Sequence, residues 1–173
     1  MKRRDLLKGA ALAAAVRASE ALASGSPAPA ADPSSAQSLG KIALEEHFMV
    51  PEFVPYFAET FQNISPEIAK LAPIALEDYD RRIAIMDQYR VDFVVLSLSG
   101  PGVQVEKDAA IAIKRSKSVN DYLATQIQKR PARFGGFAHL PMQNPREAAD
   151  ELERCVRDLG FQGAMINGQT NGE

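Results

Sequence analysis

Residues 91–99 read VDFVVLSLS, an almost unbroken apolar run with a single charged residue near its start. A strand covered on both faces has this composition, because neither row of its side chains meets water. Three further segments are apolar enough to be strands: KIALEEHF at 41–48, FGGFAHLPM at 134–142 and FQGAMINGQ at 161–169. The run at 91–99 therefore predicts one interior strand of a sheet with at least four strands.

Amphipathic segments separate the predicted strands. The proline-rich aromatic stretch at 51–61 indicates a loop or lid, and residues 76–89, 108–129 and 144–160 have the spacing of helices. Their predicted core-facing residues are, in order, Ile83, Met86 and Tyr89; Ile111, Val119, Leu123 and Ile127; Ala148, Leu152, Cys155 and Leu159. Asn144 caps the third helix ahead of Pro145, and Gly160 ends it. Cys155 is expected to be a packed core residue rather than a nucleophile.

The alternation of strands and helices without hairpin signals predicts a parallel α/β sheet with right-handed crossovers. Four strands with three helices form either a small open sheet or half of an eight-stranded barrel. A closed (β/α)8 barrel takes about 250 residues, and residues 41–173 amount to about half of that.

Composition excludes several classes of function. The 173 residues include 20 Lys and Arg against 22 Asp and Glu, for a net charge of -2, so no excess positive charge is available for nucleic acid. Cys155 is the single cysteine, which rules out an intrachain disulfide and thiolate metal clusters. Any metal must be held by nitrogen and oxygen.

The first 40 residues differ in composition from the rest. Residues 1–23 have the three parts of a secretory signal: a basic head at 2–4, an apolar segment at 9–16 and an A-x-A site at 21–23. The head resembles a twin-arginine signal, which predicts export by that machinery to the periplasm or medium. The apolar segment is too short for stable membrane insertion. A basic, alanine-rich disordered tail is the alternative, and the Pro/Ser/Ala-rich stretch at 24–40 is predicted to be a disordered linker.

Candidate ligands stand at the end of the first predicted strand. Functional groups of parallel α/β folds lie at the carboxyl ends of the strands. Glu45 and His47 are two residues apart, so on a strand both point to one face and Glu46 points to the other. A carboxylate oxygen beside an imidazole nitrogen suits Zn or Mn. The same pair also occurs as a hydrogen-bonded structural pair, so the spacing alone leaves both interpretations open.

Polar residues also follow the other three strands. Ser97 and Ser99 end the second strand, His139 the third and Asn167 the fourth, and of these we single out Ser99, His139 and Asn167 as candidate substrate contacts. His139 could equally be a satisfied core residue. The glycines of SGPGV at 99–103 lack the Lys and Ser or Thr of a phosphate-binding loop.

Four segments, KIALEEHF, LSLSGPGVQ, FGGFAHLPMQNP and ELERCVRDLGFQGAMINGQ, resemble the amidohydrolase-related metal-dependent decarboxylases, which include γ-resorcylate and 2,3-dihydroxybenzoate decarboxylases. The resemblance spans residues 41–173. It implies the N-terminal half of a TIM-like barrel and one divalent metal, Zn or Mn, bound by the positions matching Glu45 and His47. A His and an Asp of the second half complete the family's metal site, and this sequence contains neither position. The remaining catalytic groups are therefore expected beyond Glu173.

The resemblance implies non-oxidative loss of CO2 from a small hydroxylated aromatic carboxylate, by an enzyme that forms homo-oligomers when full-length. This chain, with half of the active site, is expected to be inactive alone. One alternative within the superfamily is hydrolysis of a lactone or amide by metal-bound water. The others are a non-catalytic exported half-barrel that needs a partner or self-association, and an independent four-stranded binding domain, which gives Glu45 and His47 no reason to share a face.

Overall fold

A computed structural model describes residues 40–56, 65–67, 70 and 76–172. The predicted signal at 1–23, nearly all of the predicted linker at 24–40, residues 57–61 of the predicted lid, and Glu173 lie outside the described residues. Within the described ranges, no helix is both long and apolar enough to cross a membrane.

Four parallel strands form one sheet in the order β1-β2-β3-β4, as the strand and helix alternation predicts. The strands are β1 (Lys41–Phe48), β2 (Val91–Leu98), β3 (Phe134–Ala138) and β4 (Gly163–Ala164). The predicted extents of β3 and β4, residues 134–142 and 161–169, are wrong: β3 ends at Ala138, and β4 begins at Gly163 and ends at Ala164. Beyond β3, the backbone of the next residue pairs with a helix side chain instead of a strand. Beyond β4, the chain turns to pair with the loop that follows β2.

Among the described residues, three helices connect consecutive strands: α1 (Tyr79–Tyr89), α2 (Ala109–Lys129) and α3 (Pro145–Arg157). Each helix begins after a capping residue whose side chain accepts a hydrogen bond from a backbone N–H of the first turn. The capping residues are Asp78, Asp108 and the predicted cap Asn144. Short 3-10 turns follow β1 at Pro51–Phe53 and β2 at Gly102–Val105. Every crossover from one strand to the next therefore contains a helix.

The core lies between the sheet and these helices. Val94, Leu96 and Leu98 of β2 are almost fully buried, as the composition of VDFVVLSLS indicates. The predicted core positions of α3 pack into this cluster with Cys155, which is fully buried. Tyr89 and Ile111 are 60% and 42% exposed, so their predicted core positions are wrong.

The core face of α2 explains the error at Ile111. Ala112, Ser116, Val119 and Leu123 are buried, at spacings of four, three and four residues. Ile111 is one residue, about 100°, away from this line, and it lies in the first turn of the helix. The core face of α2 thus includes two small residues, Ala112 and Ser116, in place of the predicted Ile111.

Candidate functional site

An irregularity in β1 sets the direction of the candidate ligands. From Ala43 to Glu46 the strand advances three residues while β2, opposite, advances two, from Val94 to Leu96. The extra residue is a β-bulge, a feature that re-aims side chains and occurs often beside active sites. Regular pairing resumes with His47 opposite Ser97.

The bulge leaves Glu46 on the helix side of the sheet. Its carboxylate accepts a hydrogen bond of 3.1 Å from Arg82 of α1. The Arg82 guanidinium also donates to the carbonyl oxygen of His47, so it holds the end of β1 from the helix side. Glu46 therefore has a structural partner and is separate from its two neighbours, as the alternation of side chains predicts.

Glu45 and His47 lie together at the end of β1. Glu45 Oε1 is 4.0 Å from His47 Nε2, and the side chains are 67% and 38% exposed. Zn–N and Zn–O bonds are about 2.1 Å long, so two ligands of one ion lie about 3.4 Å apart at a tetrahedral angle and about 4.2 Å apart at most. The pair satisfies that limit with one hard oxygen and one imidazole nitrogen, a donor set that fits Zn or Mn.

The other ring nitrogen of His47 is engaged by the neighbouring strand. His47 Nδ1 is 3.0 Å from Ser97 Oγ, and Ser97 is completely buried. The hydroxyl of Ser97, rather than that of Ser99, is thus the one that the fold brings to the candidate ligands. Ser99 instead contributes its backbone N–H, which donates to the carbonyl of Phe48 and ties the loop after β2 to β1.

His139 is buried, and its imidazole accepts a hydrogen bond from the loop that follows β2. Its Nε2 accepts a 2.9 Å hydrogen bond from the backbone N–H of Val103, and the residue is 2% exposed. Burial lowers the pKa of His139 to about 4, so the ring is neutral at ordinary pH, with its proton on Nδ1. Gly102 has φ of 55°, and a Cβ there would lie 2.3 Å from this Nε2, so the turn requires glycine.

Asn167 connects the loops after β2 and β4. Its side-chain amide donates to the carbonyl of Pro101 at 3.2 Å and to Gln104 Oε1 at 3.1 Å. Gln104 is buried, and its own amide donates to the carbonyls of Asn167 and Gln169 and to the hydroxyl of Thr170. The structure thus joins Asn167 to Gln104, and it joins Glu45 to His47 and Ser97.

Two polar residues that the sequence does not single out hold the end of β3. The Asn120 side chain accepts from His139 N–H at 2.9 Å and donates to the His139 carbonyl and to Glu151. Glu151, 1% exposed, also receives two hydrogen bonds from Arg154. Burial alone would raise the pKa of Glu151, but hydrogen bonds from Arg154 and Asn120 lower it. The only sequence signal for Asn120 and Glu151 is that both fall on the apolar faces of helices.

Cys155 is unsuited to nucleophilic chemistry. Burial, followed by the negative charge of Glu151, raises the pKa of its thiol to about 12. The prediction that Cys155 is a core residue agrees with this environment.

The described residues hold an incomplete set of metal ligands. In the ranges that the structure describes, no cluster of three or more His, Cys, Asp or Glu side chains could hold a metal. Glu173 lies outside those ranges. The structure therefore does not test the expectation that the remaining catalytic groups lie beyond Glu173, and this expectation stays a prediction.

Comparison with known proteins places the chain in a family. A family model described as amidohydrolase matches residues 45–173. The chain belongs to the amidohydrolase family. The resemblance that the four sequence segments carry is thereby confirmed, and the parallel sheet of this amidohydrolase chain matches part of the barrel of its structural relatives.

Curated relatives of this amidohydrolase chain include two gamma-resorcylate decarboxylases. That of Polaromonas sp. (strain JS666) is 45% identical over 129 residues, and that of Rhodococcus jostii (strain RHA1) is 44% identical over 138 residues. Each match covers 75% of this chain and 39% of the relative. The chain thus spans about two-fifths of the length of these relatives.

Two solved structures of decarboxylases are also similar to this chain. The dihydroxybenzoic acid decarboxylase of Polaromonas sp. JS666, with bound manganese and 2-nitroresorcinol, matches with a TM-score of 0.71 and 44% identity, over 78% of this chain and 40% of its own. The 5-carboxyvanillate decarboxylase of Novosphingobium aromaticivorans, complexed with manganese and 4-hydroxy-3-methoxy-5-nitrobenzoic acid, matches with a TM-score of 0.73 and 34% identity, over 80% and 44%. The amidohydrolase chain is therefore similar to decarboxylases of aromatic acids.

Proposed function

We propose that this amidohydrolase chain supplies the Glu45–His47 pair to one divalent metal site, of Mn or Zn, in a decarboxylase of hydroxylated aromatic carboxylic acids. The observation that carries the proposal is the 4.0 Å separation of Glu45 Oε1 and His47 Nε2, on one face at the carboxyl end of β1. Identity of 45% to a gamma-resorcylate decarboxylase supports the reaction class.

The proposed reaction breaks the bond between the ring carbon and the carboxylate. The electron pair stays on the ring carbon, which takes up a proton, and CO2 leaves. A divalent cation, when bound by Glu45 and His47, would supply charge stabilisation to the carboxylate. Glu45 contributes a negatively charged oxygen ligand and His47 a neutral nitrogen ligand. We do not assign His139 as the donor of the proton to the substrate ring carbon. Its imidazole is neutral, and its Nε2 accepts a hydrogen bond from the backbone N–H of Val103.

Two protein ligands do not complete a catalytic metal site, which has about three. The described residues offer no third ligand beside Glu45 and His47, so we propose that further ligands come from polypeptide outside them. The described part of the chain is then inactive on its own, and activity belongs to the protein in which the site is complete.

The metal site is tested on the protein in which the proposed site is complete, purified without chelators. Bound metal is measured by elemental analysis, and CO2 release is assayed with 2,6-dihydroxybenzoate and 5-carboxyvanillate. We expect Glu45→Gln and His47→Ala each to reduce metal content and CO2 release together. Glu46→Gln, an isosteric change of the adjacent carboxylate that faces Arg82, is the matched control and should retain the metal.

Three results would overturn parts of this proposal. Metal retained by the Glu45→Gln, His47→Ala double variant would remove the ligand assignment. Hydrolysis of lactones or amides without CO2 release from any aromatic acid would identify a hydrolase. A metal-free protein that assembles with a partner would favour the non-catalytic half-barrel. Sedimentation of the same sample tests the predicted homo-oligomer.

We also propose that residues 1–23 direct export through the twin-arginine machinery to the periplasm or medium. The basis is the sequence alone: Arg3 and Arg4 precede an apolar segment and an A-x-A site. Replacing both arginines by lysine keeps the charge and should stop export, as measured by fractionation of the native host. Continued export of the double-lysine variant would remove the twin-arginine assignment.

A further inference from the structure

One contact of the candidate metal site lies on the neighbouring strand. His47 and Ser97 are register partners of β1 and β2, and Ser97 Oγ lies 3.0 Å from His47 Nδ1. Ser97 is fully buried, whereas the His47 side chain is 38% exposed. The imidazole thus has one nitrogen against a buried hydroxyl and the other, Nε2, toward Glu45.

We propose that Ser97 is a positioning residue that orients His47 so that Nε2 is the metal ligand, an inference that rests on the proposed function. A neutral imidazole has one lone-pair nitrogen and one N–H nitrogen. A cation on Nε2 takes the lone pair there and leaves the proton on Nδ1. Ser97 Oγ is the group within hydrogen-bond distance that accepts this proton, as partners of metal-binding histidines commonly do.

Ser97 restrains the side chain of His47, and Arg82 restrains its backbone. Arg82 donates to the His47 carbonyl, which fixes the main chain at the end of β1. The side-chain torsions of His47 remain, and rotation about them would carry Nε2 away from Glu45. The hydrogen bond to Ser97 opposes that rotation, because Ser97 lies on a strand in the buried centre of the sheet.

A second buried serine provides a control inside the same chain. Ser116 of α2 is fully buried like Ser97, but its hydroxyl has no hydrogen-bond partner among the described residues. Replacing either serine by alanine removes one buried hydroxyl. The two variants therefore differ in one respect that matters here, the contact with His47.

The test is a titration with Mn2+ alone of the metal-free protein in which the proposed site is complete, with unfolding midpoints measured in parallel. Ser97→Ala should weaken Mn2+ binding about 10–100-fold, the usual effect of removing the partner of a metal-binding histidine. Ser97→Thr keeps the hydroxyl and should restore most of the affinity, and Ser116→Ala should bind Mn2+ as the unaltered chain does. His47→Ala is included to establish that the titration reports this site.

Nitrogen NMR of the Zn2+-loaded protein gives a second readout. The proton on His47 Nδ1 should be resolved because Ser97 slows its exchange with water, and its signal is assigned by its loss in His47→Ala. Ser97→Ala should lose that signal while the His139 signal stays.

The outcomes separate the two proposals. Unchanged Mn2+ affinity in Ser97→Ala, or an equal loss in Ser116→Ala, overturns the role of Ser97 and leaves the metal site standing. A His47→Ala variant that binds Mn2+ as tightly as the unaltered chain overturns the metal site, and the role of Ser97 with it. A Zn2+-loaded His47 with its proton on Nε2 likewise overturns the orientation proposed here.

Discussion

The two histidines of this chain lie at the carboxyl ends of β1 and β3 and have opposite environments. At the end of β1, His47 is partly exposed, with one ring nitrogen beside Ser97 and the other beside Glu45. After β3, His139 is almost fully buried, Val103 occupies its Nε2 and Asn120 both polar groups of its backbone.

This difference separates a group available for chemistry from one that holds the scaffold. A metal ligand needs an accessible lone pair, and His47 Nε2 has no hydrogen bond within the described part of the chain. His139 has used its lone pair on a backbone N–H, which an enclosed loop must otherwise leave unpaired at a cost of about 1–3 kcal/mol. We therefore expect changes at the end of β3 to act on stability and changes at the end of β1 to act on metal binding.

The largest loss of stability is expected from Arg154→Ala. Glu151 is buried, and Arg154 provides two of its hydrogen bonds from the same helix. Removing one partner of a buried ion pair leaves an uncompensated charge and costs about 3–5 kcal/mol. Urea unfolding followed by circular dichroism measures the free energy of unfolding.

Arg157→Ala is the matched control for this prediction. Arg157 is in the same helix and pairs with Glu153, but both side chains are more than half exposed. Exposed pairs contribute about 1 kcal/mol or less. A loss of stability in Arg154→Ala as small as that in Arg157→Ala would mean that the hydrogen bonds from Arg154 to Glu151 do not stabilise the fold.

The second effect is a dependence of stability on pH that comes from His139. Its pKa is about 4 in the folded chain and 6.5 without the fold, so at intermediate pH the unfolded chain binds a proton that the folded chain does not. The free energy of unfolding should be level above pH 6.5 and fall by about 3 kcal/mol as the pH decreases to 4.

His139→Gln isolates the contribution of His139 to the pH dependence of the free energy of unfolding. A glutamine carbonyl can accept the Val103 N–H where Nε2 does, and glutamine does not titrate. Subtracting the variant's pH profile also removes the contributions of the carboxylates Glu106 and Glu151, whose pKa values are lowered. If the unaltered chain and the variant have parallel profiles between pH 4 and 6.5, the neutral, enclosed state of His139 is wrong.

The sheet could be predicted from sequence because its signals are local. The apolar run at 91–99 becomes the buried strand β2, and the cap at Asn144 begins α3. The bulge between Ala43 and Glu46 has no local signal, since it is defined by the register with β2. The predicted lengths of β3 and β4 exceed the observed ones for a similar reason. The hydrogen bonds formed just beyond these strands go to Asn120 and Gln104, which are distant in sequence.

The candidate site divides in a similar way. Glu45 and His47 could be paired from their spacing of two, since the bulge leaves them together. Their assignment as metal ligands stays a prediction, as do the substrate contacts at Ser99, His139 and Asn167. That His139 contacts Val103, and Asn167 contacts Gln104, depends on loops after different strands meeting in space, which no single stretch of sequence encodes.

The smallest effect on stability is expected from His47→Ala, and this prediction completes the contrast with His139. The His47 side chain is partly exposed and has one hydrogen bond, to Ser97, so its removal should cost about 1 kcal/mol or less in the metal-free chain. Water can then enter beside Ser97 and replace the lost partner. Urea unfolding in the presence of a chelator provides the comparison with Arg154→Ala. A loss as large as that of Arg154→Ala would mean that His47 holds the scaffold, which is inconsistent with a group kept available for a metal.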